Sequence, residues 1–149
     1  MANYYLYFSS MLNALNEKEV AWARTELKRR AEPDDESGSS LMGFVVDFEV
    51  TKSGADLWIH DDGEYGNVDN VIDFVQLFLK KFRPKEGWGF EWSNGCSKPR
   101  LDAFGGGAGF ITATKVTFMN TGTWLAEAEK AWEEAKKQCR ASRKSHKAG

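Results

Sequence analysis

Between Val68 and Phe82 the chain places Val68, Val71, Ile72, Val75, Phe78, Leu79 and Phe82 at helical spacing, with Phe74 widening the stripe. Asn67 precedes the run as a cap, and Pro84 ends it. A helix with so broad an apolar face cannot stand alone in water. It demands a second layer along its length, and this demand limits the architecture more than any other feature.

The remaining segments supply that layer. Phe44 to Val50 alternates, with Phe44, Val46, Phe48 and Val50 on one face and Val45, Asp47 and Glu49 on the other. This predicts a half-buried strand. Lys52-Ser53-Gly54 turns the chain, with Gly54 expected at positive φ, and Asp56 to His60 returns as the second arm of a hairpin. Tyr4 to Phe8 and Trp88 to Trp92 are dense in aromatic strand formers, and one or two strands follow between Ala108 and Asn120. Asn16 and Glu19 have the spacing of a capping box. They open a helix to about Arg30 whose stripe is Val20, Ala23 and Leu27, with Trp22 beside it. A third helix starts at a Thr123 cap, with Trp124, Ala128, Ala131, Trp132 and Ala135 near one face. The order β-α-β-β-α-β-β-α lacks sustained β-α-β alternation. It predicts an α+β fold, an antiparallel or mixed sheet with about three helices packed mainly on one side. Phe44, Val46, Phe48, Val71, Val75, Phe78 and Phe82 are the expected core.

The 149 residues amount to one domain, assigned to residues 1–139, with residues 140–149 as a flexible basic tail. Lys136 to Gly149 holds six Lys or Arg and no acid, whereas Met1 to Ala135 holds 14 bases against 22 acids, a net of −8. An acidic body is a poor nucleic-acid surface, so nucleic acid is expected only through the tail. No apolar run approaches the roughly 20 residues of a membrane span. Met1 to Ser10 lacks the pattern of a secretory signal, which points to the cytoplasm. Cys96 and Cys139 are expected as free thiols, and with His60 and His146 they make no structural zinc set. No cofactor is expected.

Chemistry concentrates in Ser93 to Gly107, SNGCSKPRLDAFGGG, read as a long ordered loop. Glycine amides with nearby Lys and Arg suit an anion. The glycines are nevertheless not a phosphate loop, since no Gly-Lys-Ser/Thr follows them, nor a dinucleotide fingerprint, since a strand comes next. The binding candidates are Asn94, Ser97, Lys98, Arg100, Asp102, Gly105, Gly106 and Gly107. Arg100 is expected to pair with Asp102 or Glu91, and Phe104 to anchor the loop in the core. No catalytic residue is assigned: Cys96 would need a base, and His60 or His146 would have to approach it. Asp61, Asp62 and Glu64 beside His60 do not have calcium-loop spacing. Trp22 and Trp58 are hard to hide, and on an acidic body exposed aromatics suit a basic protein partner or a homodimer seam.

The segment from Gly89 to Gly107, with Ile111-Thr112-Ala113 and Met119 to Leu125, follows a Lys80-Lys81-Phe82 helix end. It resembles a family of small uncharacterised proteins of phages, prophages and plasmids over roughly residues 56–125. The resemblance implies a genetic context and no mechanism. In that context the expected function is a non-enzymatic accessory protein that binds a host protein, for example to inhibit a defence system. The alternative is a small-ligand binder holding a phosphate or nucleotide in the 93–107 loop.

Overall fold

The computed structural model describes residues 2–63 and 65–148. The elements are β1 (Tyr4–Asn16), α1 (Glu17–Ala31), β2 (Val45–Val50), β3 (Gly54–His60), α2 (Val68–Phe82), β4 (Gly87–Cys96), β5 (Gly105–Thr112), β6 (Val116–Asn120) and α3 (Thr121–Ala148). The fold is α+β. Six strands form one sheet in the order β2-β3-β1-β4-β5-β6, and every neighbouring pair is antiparallel. The observed order has one strand more than the expected eight-element string, because the segment from 105 to 120 makes a hairpin of two strands.

Antiparallel neighbours make β1 parallel to β2, and β3 parallel to β4. Thus α1 and α2 are crossover helices, each passing over one intervening strand. The two crossovers run in opposite lateral directions from strands of opposite sense. The right-handed rule for such connections then puts both helices on the same face. The first four strands with α1 and α2 form the β-α-β-β-α-β arrangement called ferredoxin-like. The β5–β6 hairpin widens the sheet beyond β4, and α3 leaves from its end.

The core lies between the sheet and the two crossover helices. Phe8, Leu12, Leu15, Leu57, Ile59, Trp88, Phe90 and Ile111 meet Ala23, Val71, Phe74, Val75 and Phe78 there, all buried. Of the expected core residues, Phe44, Val71, Val75 and Phe78 are buried, and Val46, Phe48 and Phe82 are half-buried against them. Val50, at the end of edge strand β2, is exposed. Trp22 is half-buried. Its ring centroid lies 5.9 Å from Phe74, 6.0 Å from Phe78 and 5.8 Å from Phe82, so it forms the seam between α1 and α2.

Caps fix the helix starts. Asn16 and Glu19 make the expected capping box, and the Asn67 side chain accepts from the Asn70 N–H. Helix α3 is capped by Asn120 rather than Thr123: the Asn120 Oδ1 accepts from the Thr123 N–H at 2.7 Å. Helix α3 continues without a break to Ala148, so residue 140 is not an element boundary. Arg30, buried completely at the end of α1, is held by Glu26, Asp73 and the Leu41 carbonyl. A two-pronged hydrogen bond from Arg29, together with the charges of Arg29 and Arg30, holds the Glu26 carboxyl below its usual range against the opposing effect of burial.

Gly54 is not at positive φ. It is required for a different reason: a Cβ there would lie 1.8 Å from the Leu15 carbonyl oxygen, where β3 pairs with the end of β1. The bulge between Leu12 and Leu15 puts Ala14 at φ 60 and re-aims Leu15 into the core.

Candidate functional site

The 93–107 segment is not one long loop. Strand β4 runs on to Cys96, β5 starts at Gly105, and only residues 97–104 connect them. Trp92 pairs with Gly107, Ser93 with Gly106 and Asn94 with Gly105. The three glycines are therefore strand residues. A Cβ on Gly107 would lie 2.4 Å from the Trp92 ring and 2.4 Å from the Met119 carbonyl oxygen, and one on Gly106 would lie 2.3 Å from the Trp92 carbonyl oxygen. The Trp92 indole lies over the strand in the space that side chains would fill. The Gly106 N–H is not free for an anion, because it donates to Thr121 Oγ1 at 3.0 Å. Gly107→Ala is expected to displace Trp92 and lower stability by about 1–3 kcal/mol, the usual cost of overpacking. Chemical denaturation and the Trp92 indole N–H resonance would both register it.

The turn after β4 is built on local hydrogen bonds. Ser97 exchanges bonds with the start of β1: its N–H donates to the Asn3 carbonyl, and its Oγ accepts from the Asn3 N–H. The Arg100 N–H donates to the Lys98 carbonyl across Pro99. Asp102 takes φ 59, a left-handed conformation that Asp tolerates better than most residues. The expected Arg100 pairing with Asp102 or Glu91 is not formed, and Lys98 and Arg100 are exposed at the turn. Phe104 is not the anchor, being 57% exposed; Ala103 is buried instead.

A cleft of about 390 Å³ opens at this end of the sheet, on the side of the crossover helices. Its base is Trp92 with Gly105 and Gly106. Val68, Asp69 and Ile72 of α2 form one wall, Phe118 and Asn120 with the start of α3 the other, and Asn94, Asp102 and Phe104 the rim. Among the described residues that line it, only Asp69 and Asp102 are ionisable, and both are acidic. Of the eight residues expected in a site, the fold brings Asn94, Asp102, Gly105 and Gly106 to this cleft. Gly107 sits behind Trp92, and Ser97, Lys98 and Arg100 are outside it. Sequence reading missed Trp92, Asp69, Phe104 as a lining group, and Phe118. The first had a signal: a large aromatic facing a run of glycines two strand-lengths later.

The sheet face opposite α1 and α2 carries Tyr7, Trp58, Phe110 and Met119, all exposed. Its charged strand residues Asp47, Glu49, Asp56 and Glu91 are all acids, which does not suit a nucleic-acid backbone. Trp58 Nε1 donates to Ser9 Oγ, and the Trp58 and His60 rings lie 4.1 Å apart between centroids. His60 places Nε2 2.7 Å from Asp47 Oδ2 and Nδ1 2.8 Å from the Asp61 carbonyl.

Cys96 pairs with Tyr4 at one end of β1, and His60 pairs with Ser9 on the other side of the same strand. Five residues of strand separate those positions, roughly 16 Å. The two are not a nucleophile and its base. Cys96 and Cys139 are free thiols. Asp61 accepts from the Phe8 and Gly63 N–H groups and Asp62 from the Tyr65 N–H, so these carboxylates organise the turn before α2. Glu64 lies outside the described residues, and among those described no cluster of His, Cys, Asp and Glu is arranged for a metal. No described helix is long and apolar enough to cross a membrane. Comparison of the chain with protein families, curated proteins and solved structures finds no match.

Proposed function

We propose that this protein is a non-enzymatic binding module whose cleft beside Trp92 receives a basic side chain of a partner protein. The observation that carries this reading is the lining itself: Asp69 and Asp102 are the ionisable groups, set among Trp92, Phe104 and Phe118. A guanidinium or ammonium group gains from carboxylates and aromatic faces together. The acidic body adds a long-range attraction for a basic partner. In the genetic context that the resemblance implies, the partner is a host protein, and occupying its basic surface would inhibit it.

A second reading keeps an anionic small molecule in the same cleft. Thr121 and Gly122 open the N-terminus of α3 onto it, and the first turn of that helix has no acid. Two full carboxylate charges outweigh a helix end that carries about half a charge, so the basic side chain is favoured.

Titration by NMR separates the readings. N-acetyl-arginine amide is expected to shift the Trp92 indole, Asn94, Gly105 and Gly106 resonances, with affinity falling as salt rises. Asp69→Asn with Asp102→Asn is expected to weaken that binding at least fivefold and leave the fold intact, since both side chains are exposed. Tighter binding of inorganic phosphate or AMP at the same resonances would establish the second reading. Absence of any response to all three probes would reject the cleft as a site.

A further inference from the structure

Helix α3 is 28 residues long, about 42 Å at the usual rise. Its main contacts with the body are to β5 and β6, from which it departs. From Thr121 to Ser145 every residue except Lys136 is exposed. Along this solvated helix Trp124 is 60% exposed, Leu125 52% and Trp132 64%. Trp124, Ala128, Ala131 and Ala135 follow at spacings of four, three and four, with Trp132 and Cys139 beside them. They form one apolar stripe about three turns long. Two large rings separated by alanines make knobs with room between them, a surface that another helix can approach closely.

Charge along the same helix is divided by position. Residues 121–135 carry Glu127, Glu129, Glu133 and Glu134 against Lys130, a net of −3. Residues 136–148 carry six bases and no acid, a net of +6. The helix dipole does not account for this. Its influence fades within one turn of each end, whereas the first turn of α3 has no acid and the bases extend over three turns. A second copy lying antiparallel does account for it. Each acidic half then faces a basic half, and the two apolar stripes overlap at their C-terminal ends, between Trp132 and Cys139. A parallel pair would set six positive charges beside six.

We propose that α3 is a dimerisation helix, which pairs antiparallel with α3 of a second copy across a two-fold axis near Ala135 and Lys136. In this register Trp132 of each copy packs near Cys139 of the other.

The test uses the full chain. Sedimentation equilibrium at low salt is expected to give twice the 16.8 kDa chain mass. Raising salt, or Trp132→Ala, is expected to weaken the association at least tenfold without lowering the melting temperature of the body. Orientation is read by oxidation. In a Cys96→Ser, Cys139→Ser background, Ala135→Cys should form a disulfide-linked dimer, because the axis places the two copies of that position together. With Cys96→Ser alone, the two copies of Cys139 lie about 10 Å apart along the axis, beyond disulfide reach, and should stay reduced. Equal crosslinking at both positions means a parallel pair and overturns the proposal. So does a single-chain mass at 100 µM, or a Trp132→Ala variant that stays monomeric with a lowered melting temperature, which would place the stripe against its own body.

Discussion

Phe78→Ala should destabilise the protein by about 3–5 kcal/mol, the cost of removing a fully enclosed aromatic ring. Phe78 is 0% exposed on the face of α2 that meets the sheet. Its ring lies 6.0 Å from Trp22 and 5.4 Å from Phe82 between centroids, and the Arg83 guanidinium sits 5.2 Å from its centre. These neighbours belong to both crossover helices, so the cavity would loosen the seam as well as the sheet contact. For a chain of this length the loss corresponds to roughly 2–4 °C of melting temperature per kcal/mol. Phe110→Ala is the control. That ring is 54% exposed on the open face of the sheet, and its loss should cost far less. Equal melting of the two variants would mean that the face assignment of α2 is wrong.

Phe78 was legible in the sequence because helix α2 obeys local rules throughout. The period, the Asn67 cap and the Pro84 stop all concern residues within a few positions of one another. The core side of β2 and the α1 capping box were legible for the same reason. Where tertiary partners decide, the sequence was silent. Gly105, Gly106 and Gly107 have poor strand propensity and read as a loop, yet they lie in a strand: side chains at Gly106 and Gly107 would clash with the β4 and β6 backbone and the Trp92 indole, and Gly105 takes φ 136 beside Thr121 Oγ1. Trp22 lies beside the α1 stripe of Val20, Ala23 and Leu27. The second helix, lying alongside α1, is what buries it. The candidate site divided in the same way. Lys98 and Arg100 sit on an exposed turn outside the cleft, while Asn94 and Asp102 line it. Asp69, some thirty residues earlier, joins them only because α2 crosses back over β1.

That crossing depends on how α2 is held at its far end, where Arg83 caps it, and Arg83→Met is expected to cost about 3–5 kcal/mol. Glu19 is 5% exposed, and its carboxylate accepts from Arg83 Nε at 3.0 Å and Nη2 at 3.4 Å and from the Asn16 N–H. Arg83 also donates to the Asn13 and Ala14 carbonyls, at 3.1 and 2.9 Å, in the bulge of β1. One guanidinium thus joins the end of α2, the start of α1 and the strained residue of β1. Methionine would keep much of the stem packing while leaving Glu19 charged, enclosed and short of partners, which is the expensive way to break such a pair. Adding Glu19→Gln removes the stranded charge and keeps an oxygen for the capping box. The double variant should therefore be more stable than the sum of the two single losses implies, with a coupling of about 1–3 kcal/mol in a double-mutant cycle. A loss below about 0.5 kcal/mol in Arg83→Met would show the pair to be a solvated surface contact. The cleft at the opposite end of α2 supplies a second readout. If Arg83 sets only the stability of the helix and not its register, N-acetyl-arginine amide should bind the folded variant with wild-type affinity at temperatures well below its melting point.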